Sequence, residues 1–193
     1  MESEGQGRRP PVPVPVEITR GEVIACFDFA IRCSRLRQYA KSGGWRGGLV
    51  PAMTLYGGVA ADDTVAGIVI GKVAEVAMCR LAGVPVDLAL RDRGDGGRDL
   101  LLPCGATQVK ASRKAYQTKL VREPFEAAEW FVFATWCGTS SSVAIDGYVS
   151  RAAMSRMLVV PSVRGKWMNR EVPVSELLPI RSLLKIRPID EVL

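Results

Sequence analysis

Between Asp62-Asp63 and Ala82-Gly83 runs a segment that is apolar on nearly every side of a helix, through Val65, Ile68, Val69, Ile70, Val73, Val76 and Met78. An aspartate suits its N-cap, and the glycine suits the residue that stops it. A helix hydrophobic all round has to be central and covered by other elements. Lys72, Glu75 and Arg80 interrupt the run, which argues against a membrane span. If Glu75 points inward, burial of its carboxylate demands a partner or a metal. An exposed Glu75 paired along the helix with Lys72 or Arg80 satisfies the same spacing.

The 193 residues suit one domain with a tail, and 48% hydrophobic with 24% charged residues is ordinary globular usage. Residues 1–16 alternate proline with valine after an Arg-Arg pair, which favours extended polyproline II and reads as a disordered arm before a single domain over 17–193. Val23, Ile24, Phe27, Ile31 and Leu36 recur at helical spacing from Ile18 to about Lys41, with Thr19 as N-cap. A short strand is expected at Val84–Leu90, before the glycine-rich RDRGDGGRD turn. Strands are then expected at Asp99–Leu102, Ala106–Ala111, Trp130–Trp136 and Ser142–Val149, with helices from Ser150 to Leu158 and within Ser175–Lys185. The fold class is α/β, with a central sheet after the buried helix.

The loop between the first two of those strands decides which side chains meet. With Pro103 second and Gly105 fourth in a type I turn, a loop Leu102–Gly105 pairs Ala106 with Leu101 and Gln108 with Asp99. Period two adds Lys110 to that face, whereas an odd loop would turn Asp99 to the opposite side. Leu100, Leu102 and Val109 would then face the core.

There are no histidines, which removes His-based triads, His general bases and every His-ligated zinc, haem or copper site. Five cysteines are widely spaced without a C-x-x-C pair, as expected of reduced cysteines in a cytoplasmic protein. Asp99, Gln108 and Lys110 are chemistry of another kind. A carboxylate and an amide oxygen are hard ligands suited to Mg²⁺, and a lysine beside such an ion can position an attacking water or offset charge on a phosphoryl group.

With Gly71-Lys-Val-Ala-Glu75 on a helix, Gly94-Asp-Gly-Gly-Arg-Asp99 before a strand and Gln108-Val-Lys110 on the next strand, the chain resembles the PD-(D/E)XK nuclease superfamily, in a Gln-x-Lys form similar to Mrr-type restriction enzymes and small phage and bacterial members. The resemblance covers about residues 62–158. It implies a restriction-endonuclease-like mixed sheet of four or five strands flanked by helices. It further implies a DNA nuclease dependent on Mg²⁺ or Mn²⁺, acting in phage or mobile-element DNA processing, restriction or recombination. A Holliday-junction-type resolvase and a non-cleaving DNA-binding homologue are the alternatives. Carried over residue by residue, Asp99, Gln108 and the Val109 carbonyl would hold the metal, Glu75 would bind it through water or hold a second ion, and Lys110 would orient the water. Asp95 is a second candidate acid, although its flanking glycines favour a turn role. The resemblance is also compatible with a homodimer and a virus-encoded origin.

Twenty-six basic against 20 acidic residues give a net charge of +6, which makes a polyanion worth testing as partner. Ser112, Arg113, Lys114 and Lys119 follow the QVK strand, with Arg122 beyond them. Arg164, Lys166 and Arg170 flank Trp167, a mixture suited to phosphates and an unstacked base.

Overall fold

The structure is a computed structural model that describes residues 9–40, 53–56, 59–61, 63–88, 99–123, 127–162, 165 and 167–186. Asp95 with the rest of the 91–98 turn, Arg164 and Lys166 lie outside the described residues.

Chain order begins with β1 (Val14–Glu17), α1 (Arg20–Ala40), a hairpin of β2 (Met53–Leu55) and β3 (Val59–Ala61), and α2 (Asp63–Ala82). It continues with β4 (Leu100–Leu102), β5 (Gly105–Ser112), β6 (Thr118–Arg122), β7 (Trp130–Thr135) and β8 (Ser142–Ser150). Then come α3 (Arg151–Met154), β9 (Leu158–Pro161), β10 (Met168–Pro173), a 3-10 turn at Val174–Glu176, and α4 (Ile180–Leu183). The chain is thus mixed α/β, with a five-stranded sheet ordered β1-β8-β7-β5-β4 in which only β5 and β7 run parallel. A parallel neighbour needs a crossover. Here it passes through β6, which belongs to a second sheet ordered β6-β10-β9.

Both long helices start and stop where local chemistry dictates. Thr19 Oγ1 accepts the Glu22 N–H while Glu22 Oε2 accepts the Thr19 N–H at 2.6 Å, a reciprocal capping box opening α1. Gly83 takes φ 70° after α2, a left-handed conformation that ends the helix at little cost only for glycine. Helix α2 is covered as its composition demands: Val69, Val73, Ala74, Ala77 and Met78 are within 3% of full burial in one core with Val109, Val132, Ala134, Val143 and Ile145. The far face of the sheet carries a second core, in which Phe131, Phe133 and Val149 meet Val121 of β6 and Val172 of β10. One face of that sheet is therefore covered by α1, α2 and α4, and the other by the small sheet together with the single turn of α3, whose Met154 is fully buried there.

Other expectations need correction. The arm is not disordered through residue 16, because Val14 and Val16 pair with Ile145 and Val143 as an edge strand. Proline at every second position is compatible with this, since an edge strand needs its N–H groups only on the paired side. No strand forms over residues 84–88. The expected helix to Leu158 stops at Met154, because Leu158–Pro161 is taken by β9, where β-branched Val159 and Val160 favour pairing with β10. Pro179 divides the last expected helix into the 3-10 turn and one turn of α4. Among the described residues no helix is long and apolar enough to cross a membrane.

Candidate functional site

The β4–β5 hairpin has the even loop expected: Leu102 pairs with Gly105, Leu101 with Ala106 and Leu100 with Thr107. Gly105 accepts φ 122° at the end of the turn, a conformation open to glycine and strained for other residues. The turn is tied down by Trp130, whose Nε1 donates to the Cys104 carbonyl at 2.8 Å. Leu100, Leu102, Thr107 and Val109 are buried toward α2. Alternation puts Gln108 and Lys110 on the other face, in register with Phe131 and Phe133 of β7.

Asp99 stands where β4 begins. Its own N–H donates to the Thr107 carbonyl at 2.9 Å, and its Oδ2 accepts the Val109 N–H at 2.7 Å. A side-chain carboxylate thus substitutes for the next ladder carbonyl. Because a residue in an antiparallel ladder turns its N–H and C=O to the same neighbour, the Val109 carbonyl opens to the edge where Asp99 lies.

Glu75 does not join this group through the same face. Its carboxylate, only 12% exposed, pairs with Lys72 along α2, so the helix partner expected of an exposed Glu75 is found on a largely buried one, and the Lys72 ammonium lies 4.6 Å over the Phe29 ring of α1. Helix α2 packs on the Val109 side of the sheet, opposite to Gln108 and Lys110. Among the described residues no group of three or more His, Cys, Asp or Glu side chains is gathered to hold a metal ion.

Beside Lys110, a cleft of about 300 Å³ opens between the end of β5 and the start of β6. Lys110, Ser112, Tyr116, Thr118, Lys119, Leu120 and Phe133 line it, a mixture of polar and apolar side chains. Lys119 is only 6% exposed and donates to Asp146 Oδ2 at 2.7 Å, an oxygen that also accepts the Thr135 hydroxyl at 2.8 Å. This buried network was not foreseen. Asp146 enters it because the β7–β8 register slips between Phe133 and Ala134, so Phe133 faces Gly147 while Ala134 faces Ile145. A lone aspartate before a glycine within an apolar strand was the available signal, since that combination marks a bulge.

Two of the expected DNA contacts are held in ion pairs within the fold. Lys119 is internal, its charge neutralised by Asp146. Arg170 ties elements together, with Nε on Glu123 at 2.7 Å and a terminal nitrogen on the Met157 carbonyl at 2.7 Å. Ser112 donates its hydroxyl to the Lys114 carbonyl at 2.8 Å within a turn. Lys114 is exposed and Arg113 half-buried beside it. Trp167 is 46% exposed, and the Arg122 guanidinium stacks 3.4 Å from its ring centre.

Comparison with protein-family models, with characterised proteins and with solved structures finds no match for the chain.

Proposed function

We propose that the chain is a metal-dependent DNA nuclease with a restriction-endonuclease-like core, hydrolysing phosphodiester bonds at the β4–β5 hairpin. The order of the motifs, helix glutamate, strand-end aspartate and Gln-x-Lys on the next strand, supports the reading. The observation that carries it is the Asp99 carboxylate lodged against the Val109 main chain, one residue from Gln108 and one from Lys110.

The donor set suits one hydrated ion. Mg²⁺ is held by one or two carboxylates with several waters retained. Asp99, the Gln108 amide oxygen and the Val109 carbonyl would hold it, and bound Mg²⁺ supplies Lewis acidity and an acidified water. The protein's part is positional. The hairpin fixes Asp99 at the end of a paired strand, and core burial of Val109 fixes the strand on which Gln108 and Lys110 stand. Lys110 orients the attacking water and offsets charge developing on the phosphoryl oxygens, an effect worth about 10²–10³ in rate for a single preorganised donor.

A second reading, binding without cleavage, is favoured by one arrangement: Glu75 is paired with Lys72 on the far side of the sheet, and Gln108 contributes no charge. Incubation of plasmid and four-way-junction DNA with Mg²⁺ or Mn²⁺ separates the two. Cleavage abolished by Asp99→Asn and by Lys110→Ala supports the nuclease; binding without cleavage supports the second reading; neither binding nor cleavage refutes both.

A further inference from the structure

The rim of the Lys110 cleft continues outward along β6. Its burial alternates, with Lys119 and Val121 buried and Thr118, Leu120 and Arg122 exposed. Those three side chains therefore share the outer face of the second sheet, spanning about 13 Å from first to last. At one end Leu120 is 54% exposed beside Tyr116, also 54% exposed, and both line the cleft with Lys110. At the other end Arg122 lies flat on Trp167.

Exposed aromatic rings and an exposed leucine in a row are costly unless something covers them. Their company identifies the occupant. A ring, an apolar side chain and a guanidinium plane at Tyr116, Leu120 and Arg122 share this surface with cations at Lys110 and Lys114, and Glu171 opposite Leu120 is the acid beside them, on a chain of net charge +6. Anionic backbone together with flat, unpaired bases is the ligand that complements such a surface, because bases stack on aromatic rings and on arginine planes while phosphates meet the cations. Duplex DNA hides its base faces and offers nothing for Tyr116 or Trp167 to stack upon.

We infer that the strip from the Lys110 cleft to the Arg122–Trp167 stack is a track for an unpaired DNA strand, so that the substrate of the proposed nuclease carries a single-stranded segment leading from the scissile phosphate. The inference rests on the nuclease reading for the position of the cut, and not for the binding.

Binding is measured by anisotropy of fluorescein-labelled oligo(dT) and of a blunt duplex of equal length, both in EDTA so that nothing is cleaved. The expected result is at least tenfold tighter binding of oligo(dT). Trp167→Ala and Tyr116→Ala are each expected to weaken it about tenfold, within the range measured for loss of one stacking platform. Trp167→Phe, which keeps a ring, should retain most of the affinity and guards against a fold defect in the alanine variant. Equal affinity for duplex and single strand, or oligo(dT) affinity unchanged in both alanine variants, overturns the track. Cleavage with Mg²⁺ is scored separately: a single-strand preference without cleavage keeps the track and rejects the nuclease, while duplex cleavage without that preference does the reverse.

Discussion

Asp99 accepts the Val109 N–H at 2.7 Å across the β4–β5 hairpin, so the acid proposed to bind metal is also the group that completes the strand ladder. These two duties can be separated. Asp99→Asn keeps an oxygen acceptor and loses the charge; Asp99→Ala loses both. The alanine variant should lose about 1–3 kcal/mol in urea denaturation, the cost of leaving a largely buried N–H without its charged acceptor, whereas the asparagine variant should lose less. Cleavage should vanish in both.

Gln108→Glu adds a carboxylate beside Asp99 and should tighten Mg²⁺ and Mn²⁺ binding by isothermal titration calorimetry, since ligand charge tunes affinity for hard cations. Unchanged or weaker affinity would show that position 108 contributes no ligand.

The Lys119–Asp146 pair is 6% and 11% exposed, and removing one partner strands a buried charge. Asp146→Ala should cost about 3–5 kcal/mol in chemical denaturation. Joint replacement by Lys119→Met and Asp146→Leu should restore much of that loss, because the desolvation of both ions is then avoided. A double variant no more stable than Asp146→Ala would contradict this account.

The N-terminal arm makes a graded prediction. Removing residues 1–12 should leave stability almost unchanged. Removing residues 1–17 takes away Val16, which is 6% exposed, and bares the β8 edge, with a loss of roughly 1.5–3 kcal/mol for that side chain alone and a tendency to aggregate. Thermal unfolding and light scattering of the two truncations read both effects.

The thiols make a prediction about pH. Burial pushes Cys26 up to about 12 and Cys79 up to about 11, with Glu75 adding to the rise in each and Lys72 opposing it. The Thr139 hydroxyl holds Cys137 below the usual thiol value. A thiol reagent at pH 8 should therefore modify Cys137 well before Cys26 or Cys79. Above pH 9 the unfolded chain loses thiol protons that the folded chain still holds, so stability should fall as pH rises from 9 toward 11. Denaturation midpoints across that range check the sign.

What could be read from residues alone was whatever depends on near neighbours in the chain. The α2 helix and its glycine stop, the Thr19 cap, and the parity of the Leu102–Gly105 turn all rest on spacing and local sterics, and parity alone was enough to pair Leu101 with Ala106 and Leu100 with Thr107. The arm, the far layer and the buried lysine were decided by distant segments. Val14 and Val16 become a strand only because β8 offers an unpaired edge. Arg170 and Lys119 look like surface cations until Glu123 and Asp146 are folded against them. By spacing Glu75 could pair locally or turn inward, and packing made it do both: it pairs with Lys72 at 12% exposure, on the other side of the sheet from Gln108 and Lys110. Periodicity specifies which face of an element is apolar; only the assembled layers specify what that face meets.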